Sequence, residues 1–221
     1  MPFVGQAELR VTRTRIKICG ITNCKGAANA VASGADALGF NFYKGSPRYI
    51  SLGKAAEICA QVPAFVATVG LFVNEPLADV NRIISTLQLS LAQFHGDETP
   101  EYCETVGHPY MKALRATSRE QIKVEAQYFE SAQAILVDTA TGGQFGGTGK
   151  TFDWSMLPDL DRPLVLAGGL DARNVGAAIA AAHPYAVDVS GGVERVTGAK
   201  DVTKMKNFVE AVHSADRSNN E

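Results

Sequence analysis

Eight short apolar runs, each followed by a longer segment with helical periodicity, constrain the fold of this chain more than any other feature. The runs cover residues 15–19, 37–42, 67–73, 91–95, 110–114, 134–138, 164–167 and 186–190. They are apolar almost throughout, as expected for strands covered on both faces. Strands that alternate with helices favour βαβ units in a parallel sheet. Eight such units predict a closed (β/α)8 barrel, the TIM-barrel fold of the α/β class.

The segments between the runs predict the helices. These lie near residues 25–33, 52–61, 77–87, 100–106, 118–128, 172–182 and 201–213, with a less regular piece at 152–157. Several have start signals: Asn23, Ser51, Thr99 and Ser118 as N-caps, and Pro76 at a first helical position. An open doubly wound sheet is the alternative, but it commonly has about five or six strands and, for dinucleotides, an early GxGxxG motif. This chain lacks that motif.

The chain length fits one domain. Barrels commonly reach about 200–250 residues as a single unit, and the chain has 221. No linker-like segment divides it, so we expect the barrel to span residues 15–213. Residues 1–14 form an N-terminal extension, and the polar residues 214–221 are expected to fray.

Composition and charge exclude several classes of protein. With 46% hydrophobic residues, 20% charged residues and a net charge of −2, the chain is an ordinary globular protein. Basic residues cluster only at 10–17, too short a stretch for a nucleic-acid-binding face. No run is long enough for a membrane span, and the first residues do not read as a secretory signal. The four cysteines show no CxxC spacing. We therefore expect a cytoplasmic protein with reduced thiols and no nucleic-acid or membrane partner.

A thiol and a carboxylate end two of the predicted strands. Cys19 closes the first run, just before Gly20, and Asp138 closes the sixth. Because active sites of barrels lie at the carboxyl ends of the strands, these two groups are expected on one rim. There they can divide proton removal and proton donation. The alternatives are a small core residue for Cys19 and a cap or turn residue for Asp138.

Two further charged residues accompany the thiol. Lys17 precedes Cys19 by two residues, so both side chains point to the same face of the strand. A lysine beneath the thiol would favour the thiolate, and Asp188 on the eighth strand is the expected partner of Lys17. No His/Cys cluster or HExxH motif is present, and we expect no metal.

Glycine pairs follow the seventh and eighth strands. Gly168 and Gly169 follow the seventh run, while Ser190, Gly191 and Gly192 follow the eighth. Loops at these two places form the recurrent phosphate site of barrels, where backbone N–H groups bind the anion. The alternative is two tight turns that need glycine only for its backbone freedom.

Other strand ends supply weaker candidates. The glycine-rich segment 142–150 is not a Walker A loop, because Gln144 stands where that motif requires glycine. It is expected to cover a substrate or to be a plain surface linker. Arg48, after the second strand, can bind a carboxylate in bidentate fashion or be a solvated surface residue. His95 is a secondary contact at the end of the fourth run.

Five motifs together resemble one family. In order they are KICGIT (17–22), QFHGDE (93–98), GGTGK (146–150), LAGGL (166–170) and SGGVE (190–194). Over about residues 15–213 the chain resembles the phosphoribosylanthranilate isomerase family. The resemblance implies a (β/α)8 barrel and, in tryptophan biosynthesis, an Amadori rearrangement without metal or cofactor. N-(5-phosphoribosyl)anthranilate, an aminoaldose, becomes the aminoketose 1-(2-carboxyphenylamino)-1-deoxyribulose 5-phosphate.

The resemblance also implies residue roles. Cys19 matches the general base that removes the C2 proton, and Asp138 matches the general acid that protonates the furanose ring oxygen. Arg48 matches the arginine that holds the anthranilate carboxylate, and the two glycine turns match the phosphate site. The family commonly has two serines where this chain has Ser190 followed by glycine, and leucine where it has Phe94. The expected partner is this small-molecule substrate, and the chain is expected to be a monomer or a homodimer.

Three other functions are the alternatives. The related isomerase of histidine biosynthesis uses aspartates at the ends of strands 1 and 5, where this chain has Cys19 and Leu114 followed by Arg115. Indole-glycerol-phosphate synthase depends on catalytic lysines at strand ends, and none stands out here. A non-catalytic phosphosugar sensor would keep the glycine turns but would have no reason to retain both Cys19 and Asp138.

Overall fold

The structure, a computed structural model, describes residues 13–139 and 152–219 of the chain. Eight parallel strands close into a barrel in the order β1 to β8, which confirms the predicted fold. The strands are β1 (Arg15–Cys19), β2 (Ala37–Asn41), β3 (Ala67–Phe72), β4 (Leu91–Phe94), β5 (Tyr110–Ala116), β6 (Ala134–Thr139), β7 (Leu164–Leu166) and β8 (Ala186–Val189). Their ends differ from the predicted ends by at most two residues.

Seven α-helices pack around the barrel in the described part of the chain. They are α1 (Cys24–Ser33), α2 (Leu52–Cys59), α3 (Leu77–Leu87), α4 (Pro100–Thr105), α5 (Arg119–Tyr128), α6 (Val175–Ala182) and α7 (Val202–Asn219). Single 3-10 turns occur at Trp154–Met156 and Gly191–Val193. An antiparallel hairpin of β9 (Glu194–Val196) and β10 (Ala199–Lys200), which the sequence did not predict, lies between β8 and α7.

The helix starts follow the local sequence closely. The side chains of Asn23, Ser51, Thr99 and Ser118 each accept a backbone N–H of the first turn, which confirms the four predicted N-caps. Pro76 lies one residue before α3 rather than at its first position.

Helix α6 begins at Val175, three residues later than predicted. Asp171 and Asn174 hold the preceding residues in a local turn: the Asp171 Oδ1 accepts the Arg173 N–H at 2.8 Å, and the Asn174 Oδ1 accepts the Asp171 N–H at 2.8 Å. Such side-chain contacts to the backbone compete with the helix and delay its first turn.

Helix α7 runs to Asn219, so residues 214–219 of the polar tail, which the sequence suggested would fray, are helical in the structure. The reason is a contact with the start of the barrel. The backbone N–H and the hydroxyl of Thr14 donate to the two carboxylate oxygens of Asp216 at 2.8 and 2.7 Å. The first and last described segments are therefore joined.

Two apolar layers stabilise the barrel. The larger lies between strands and helices and contains the fully buried side chains of Phe40, Phe72, Phe94 and Phe208. The smaller fills the barrel interior with residues such as Leu136. Among residues 13–139 and 152–219, no helix combines the length and apolar character needed to cross a bilayer.

Candidate active site

A cavity of about 750 Å³ opens at the carboxyl ends of the strands. It gathers all of the site residues expected from the sequence except Lys17, which is buried two residues before Cys19. The lining members of that set are Cys19, Arg48, His95, Asp138, Gly168, Gly169, Asp188, Ser190, Gly191 and Gly192. Residues from six segments of the chain thus meet at one rim, as the barrel topology requires.

Cys19 is the last residue of β1, and its neighbours are shaped to leave room for it. It pairs with Gly39 of β2, where a Cβ would come within 2.8 Å of the Cys19 Sγ. Gly20, which follows, has a φ of +77°, and a side chain there would meet the Cδ of Arg48 at 2.6 Å. Glycine at 39 therefore leaves room for the thiol, and glycine at 20 leaves room for the arginine stem.

Lys17 lies beneath the thiol and is paired across the β1–β8 ladder. Its Nζ is 2.9 Å from the Asp188 Oδ1, and the two residues are in register. Burial alone would lower the pKa of Lys17, but the charge of Asp188 holds that pKa above its usual value. The ammonium is therefore kept charged next to Cys19.

The Cys19 thiol experiences opposing influences. Burial raises its pKa above the usual range, while the charges of Lys17 and Lys200 act to lower it and that of Asp188 acts to raise it. Before substrate binds, the thiol form dominates. Lys17 favours the thiolate, as the sequence suggested, but it does not outweigh burial in the open cavity.

Asp138 enters the cavity from β6, three strands away from β1 around the closed barrel. Its Oδ1 accepts the Thr139 N–H at 2.7 Å, and its Oδ2 lies 3.4 Å from the Nε2 of His95. The His95 Nδ1 lies 2.9 Å from the Nε2 of Gln93. The imidazole therefore lies between the Gln93 amide and the Asp138 carboxylate. His95 thus contacts the carboxylate.

The two glycine turns line the same cavity next to Asp138. Gly168 and Gly169 have φ values of +89° and +63°, so the tight-turn explanation is correct as far as the backbone is concerned. A Cβ on Gly168 would lie 2.2 Å from the Thr139 Oγ1, and a Cβ on Gly192 would lie 2.0 Å from the carbonyl oxygen of Leu170. Each turn thus contains a glycine for which no side chain has room.

Arg48 is not a solvated surface residue. Its side chain is 13% exposed, and its Nε and Nη2 both donate to the carboxylate of Glu194, each at 2.8 Å. Burial would raise the pKa of Glu194, but the hydrogen bond from Arg48 and the charge of Lys200 hold it below its usual value. The guanidinium is therefore clamped by an ionised carboxylate.

Sequence reasoning missed the charged residues around this clamp. Lys200, with a side chain only 2% exposed, donates to the Glu194 Oε1 at 2.9 Å and lies 3.1 Å from the Ser190 carbonyl oxygen. The sequence signal for Glu194 and Lys200 is the pair Thr197-Gly198 between them, which is typical of the turn of a short hairpin.

A second buried ion pair supports the loops on the other side of the mouth. The Lys112 Nζ is 2.7 Å from the Glu98 Oε2, and Glu98 also accepts the N–H groups of Asn74 and Gly96 at 2.8 and 2.9 Å. This carboxylate fixes the loops after β3 and β4, the second of which begins at His95.

Two expectations lie outside the described residues. These are the glycine-rich segment 142–150 with Gln144, and most of the extension 1–14. Within the described residues, no group of three or more His, Cys, Asp or Glu side chains is arranged to hold a metal ion.

Known proteins match this chain over nearly its whole length. The family model described as N-(5'phosphoribosyl)anthranilate (PRA) isomerase matches residues 16–211. The chain belongs to this family. An N-(5'-phosphoribosyl)anthranilate isomerase from Pseudomonas putida (strain W619) is 48% identical over 206 residues, which cover 93% of this chain and 100% of the relative. One from Acidithiobacillus ferrooxidans is 51% identical over 198 residues, covering 90% and 97%.

Solved structures of the family share the fold. The phosphoribosyl anthranilate isomerase of Thermotoga maritima has a TM-score of 0.83 and 41% identity, over 91% of this chain and 99% of that one. A family member in complex with reduced 1-(o-carboxyphenylamino)-1-deoxyribulose 5-phosphate gives 0.80 at 38% identity, with the same coverage. Monomers generated from the dimeric Thermotoga maritima isomerase give 0.79 at 38% identity, again over 91% and 99%.

Proposed function

We propose that Cys19 and Asp138 divide the proton transfers of the family's reaction, in which N-(5-phosphoribosyl)anthranilate is rearranged to 1-(2-carboxyphenylamino)-1-deoxyribulose 5-phosphate. One observation carries the proposal. A thiol on β1 and a carboxylate on β6 face one cavity from positions three strands apart, and the glycine turns after β7 and β8 lie between them. A phosphosugar anchored at those turns would have an acid on one side and a base on the other.

The reaction then proceeds in two proton transfers. Asp138 donates a proton to the furanose ring oxygen, and the C1–O bond breaks while the nitrogen lone pair forms a C1=N iminium. The Cys19 thiolate takes the C2 proton, the C2–H electrons form the C1=C2 bond, and the C1=N pair returns to nitrogen to give the enolamine. Tautomerisation of the enolamine to a ketone at C2 and an amine at C1 completes the rearrangement. The two transfers need side chains in opposite protonation states, a protonated Asp138 and an ionised Cys19.

Asp138 is held in position by its neighbours. The His95 Nε2 lies 3.4 Å from its Oδ2. The Thr139 N–H holds the other carboxylate oxygen in place.

Cys19 is prepared by the lysine beneath it. The thiol must ionise, and Lys17 is the charge that favours this, while Asp188 keeps Lys17 protonated. A substrate that carries an iminium near C1 adds a further positive charge at the moment when the thiolate is needed.

The rest of the cavity binds the two ends of the substrate. The turns formed by Gly168 and Gly169 and by Ser190, Gly191 and Gly192 take the phosphate, since backbone N–H groups at such turns bind anions. Arg48 takes the anthranilate carboxylate.

Location and assembly complete the proposal. All four cysteines are free thiols, the state that the cytoplasm maintains, and we place the enzyme there. Since a family member from Thermotoga maritima is dimeric, we propose a homodimer, which light scattering in solution distinguishes from a monomer.

The test is the decay of anthranilate-type fluorescence when freshly prepared N-(5-phosphoribosyl)anthranilate is mixed with the protein. The intact protein is expected to accelerate the decay, and Cys19→Ala and Asp138→Ala are each expected to slow it by at least about 10²–10⁴-fold, as for loss of a general acid or base. Gly53→Ala, a change in α2 at a residue that does not line the cavity, is the matched control. Full activity in either site variant would refute the assignment.

A further inference from the structure

The hairpin of β9 and β10 carries two charged side chains that the proposed reaction does not use. Glu194 opens it and Lys200 closes it, and their side chains are only 4% and 2% exposed. Thr197 at its tip lines the cavity. The hairpin follows directly on the turn at Gly191 and Gly192, so its charges lie beside the proposed phosphate site.

Glu194 occupies one complete edge of the Arg48 guanidinium. The Nε and Nη2 of Arg48 each donate to one carboxylate oxygen at 2.8 Å. Because a guanidinium has five N–H donors in a fixed plane, the edge left for another bidentate acceptor is the one formed by Nη1 and the second N–H of Nη2. Arg48 also lines the cavity. The clamp thus leaves one defined edge for the substrate.

Lys200 connects the Arg48–Glu194 pair to the turn at Ser190 and to strand β1, which carries Cys19. Its Nζ lies 2.9 Å from the Glu194 Oε1, 3.1 Å from the Ser190 carbonyl oxygen and 3.3 Å from the Ser190 hydroxyl. That hydroxyl donates to the carbonyl oxygen of Cys19 at 3.0 Å. Arg48 and Lys200 thus share the one carboxylate of Glu194, although burial holds the pKa of Lys200 below its usual value.

Stability alone does not explain such a cluster. Taking three charges out of water is costly, and apolar side chains of similar volume often replace buried ion pairs with no loss of stability. What an apolar replacement cannot supply is a fixed orientation of the guanidinium plane. Orientation before binding reduces the entropy lost when the substrate carboxylate is captured.

We propose that Glu194 and Lys200 are positioning residues that fix which edge of Arg48 meets the substrate, and that they thereby set selectivity for a phosphosugar whose aromatic amine carries a carboxylate. This inference rests on the proposed role of Arg48. It extends the site to a part of the chain that touches the substrate only through Arg48 and the turn at Ser190.

The test compares two probes that differ only in the carboxylate. One is reduced 1-(o-carboxyphenylamino)-1-deoxyribulose 5-phosphate, and the other is the same compound without the ring carboxylate. Their Kd values are measured by calorimetry for the unaltered protein, Glu194→Gln and Arg48→Met. We expect the preference for the carboxylated probe to fall by about tenfold or more in both variants, since contacts to charged groups are worth roughly 1.5–3 kcal/mol. The Kd for inorganic phosphate should change less in Glu194→Gln than the Kd for the carboxylated probe.

Asp36→Asn is the matched control. Asp36 is also a carboxylate partner of an arginine, Arg13, at 2.8 Å, but it precedes β2 and lies at the opposite end of the barrel. The probe preference should stay at its original value in this variant, whatever the change in stability.

Each outcome decides one claim. Equal weakening of both probes in Glu194→Gln would show a merely structural role and overturn the inference. An undiminished preference in Glu194→Gln, with a lost preference in Arg48→Met, would overturn it while leaving Arg48 as the carboxylate ligand. An undiminished preference in Arg48→Met would instead refute the proposed role of Arg48. If Glu194→Gln does not fold, Lys200→Met serves, with a reduced preference for the carboxylated probe expected, and an undiminished preference contradicting the inference.

Discussion

At the scale of single residues, the acid–base chemistry depends on charges packed around Cys19. Strand alternation predicted that Lys17 lies beneath the thiol, and the 2.9 Å pair with Asp188 confirms the expected partner. The Arg48–Glu194 clamp could not be predicted in this way, because its members are 146 residues apart and no periodicity links them. Contacts within one strand follow from the sequence, whereas contacts across the mouth depend on how the loops fold.

Two charges near Cys19 act on the pKa of its thiol in opposite directions. Lys17 lowers the pKa of the thiol and Asp188 raises it. Lys17→Met should therefore move the acidic limb of the pH profile of kcat/KM, which reports ionisation of the free enzyme's base, to higher pH.

The pKa itself is measured from thiolate ultraviolet absorbance, with Cys19→Ser subtracted to remove the other three cysteines. A thiol pKa and a pH profile that are both unchanged in Lys17→Met would contradict the proposed influence of Lys17 on the thiol.

At the scale of elements, the turns after β7 and β8 illustrate what glycine does in this barrel. The strand positions predicted both turns, but the sequence could not show that Gly192 packs against the backbone of the neighbouring loop. A Cβ there would lie 2.0 Å from the Leu170 carbonyl oxygen, and a backbone atom at that distance must move.

Gly192→Ala should therefore weaken binding of inorganic phosphate and raise KM, because the two turns can no longer pack together. Isothermal calorimetry with phosphate measures the first effect. Gly53→Ala is the matched control: that glycine lies in α2, and no atom lies within 4 Å of the place a Cβ would take. The free energy of unfolding of Gly53→Ala should rise by up to about 1 kcal/mol, and its phosphate binding should be unchanged. Unchanged phosphate affinity in Gly192→Ala would contradict the assignment of this turn.

Hairpins and helix ends were the elements hardest to predict from the sequence. Strands β9 and β10 have only three and two residues, too few for an alternating pattern to emerge. The end of α7 was misjudged because polarity alone suggested fraying, while a contact 202 residues away along the chain orders it.

At the scale of the whole molecule, that contact joins the start of the barrel to its last helix. Thr14 is buried, and its N–H and hydroxyl both donate to the Asp216 carboxylate. Asp216→Ala should lower the free energy of unfolding by about 1–3 kcal/mol, the usual cost of leaving a buried donor unpaired. Ser218→Ala, on the same helix and exposed where its hydroxyl donates to the Ser214 carbonyl oxygen, should change it little.

Chemical denaturation of both variants measures these differences. Equal stability of Asp216→Ala and the unaltered protein would show that the junction contributes nothing. Activity at saturating substrate should be unaffected in either variant while the protein is folded, because neither residue lines the cavity.

The barrel itself was the most predictable feature of the molecule. Eight apolar runs separated by capped helices admit few other arrangements, since parallel strands need helical crossovers and eight of them close on themselves. In a closed barrel the carboxyl ends of the strands form the site. Because Cys19 and Asp138 each lie at such an end, the strand assignment alone places both on one rim.

The most direct test of the division of labour between Cys19 and Asp138 is the isotope effect on kcat with N-(5-phosphoribosyl)anthranilate deuterated at ribose C2. If Cys19 removes the C2 proton, the residual reaction of Cys19→Ser should show a larger isotope effect than the unaltered protein. If Asp138 opens the ring, Asp138→Asn should show none, because a step before C–H cleavage then limits the rate. An enlarged effect in Asp138→Asn and none in Cys19→Ser would contradict these roles.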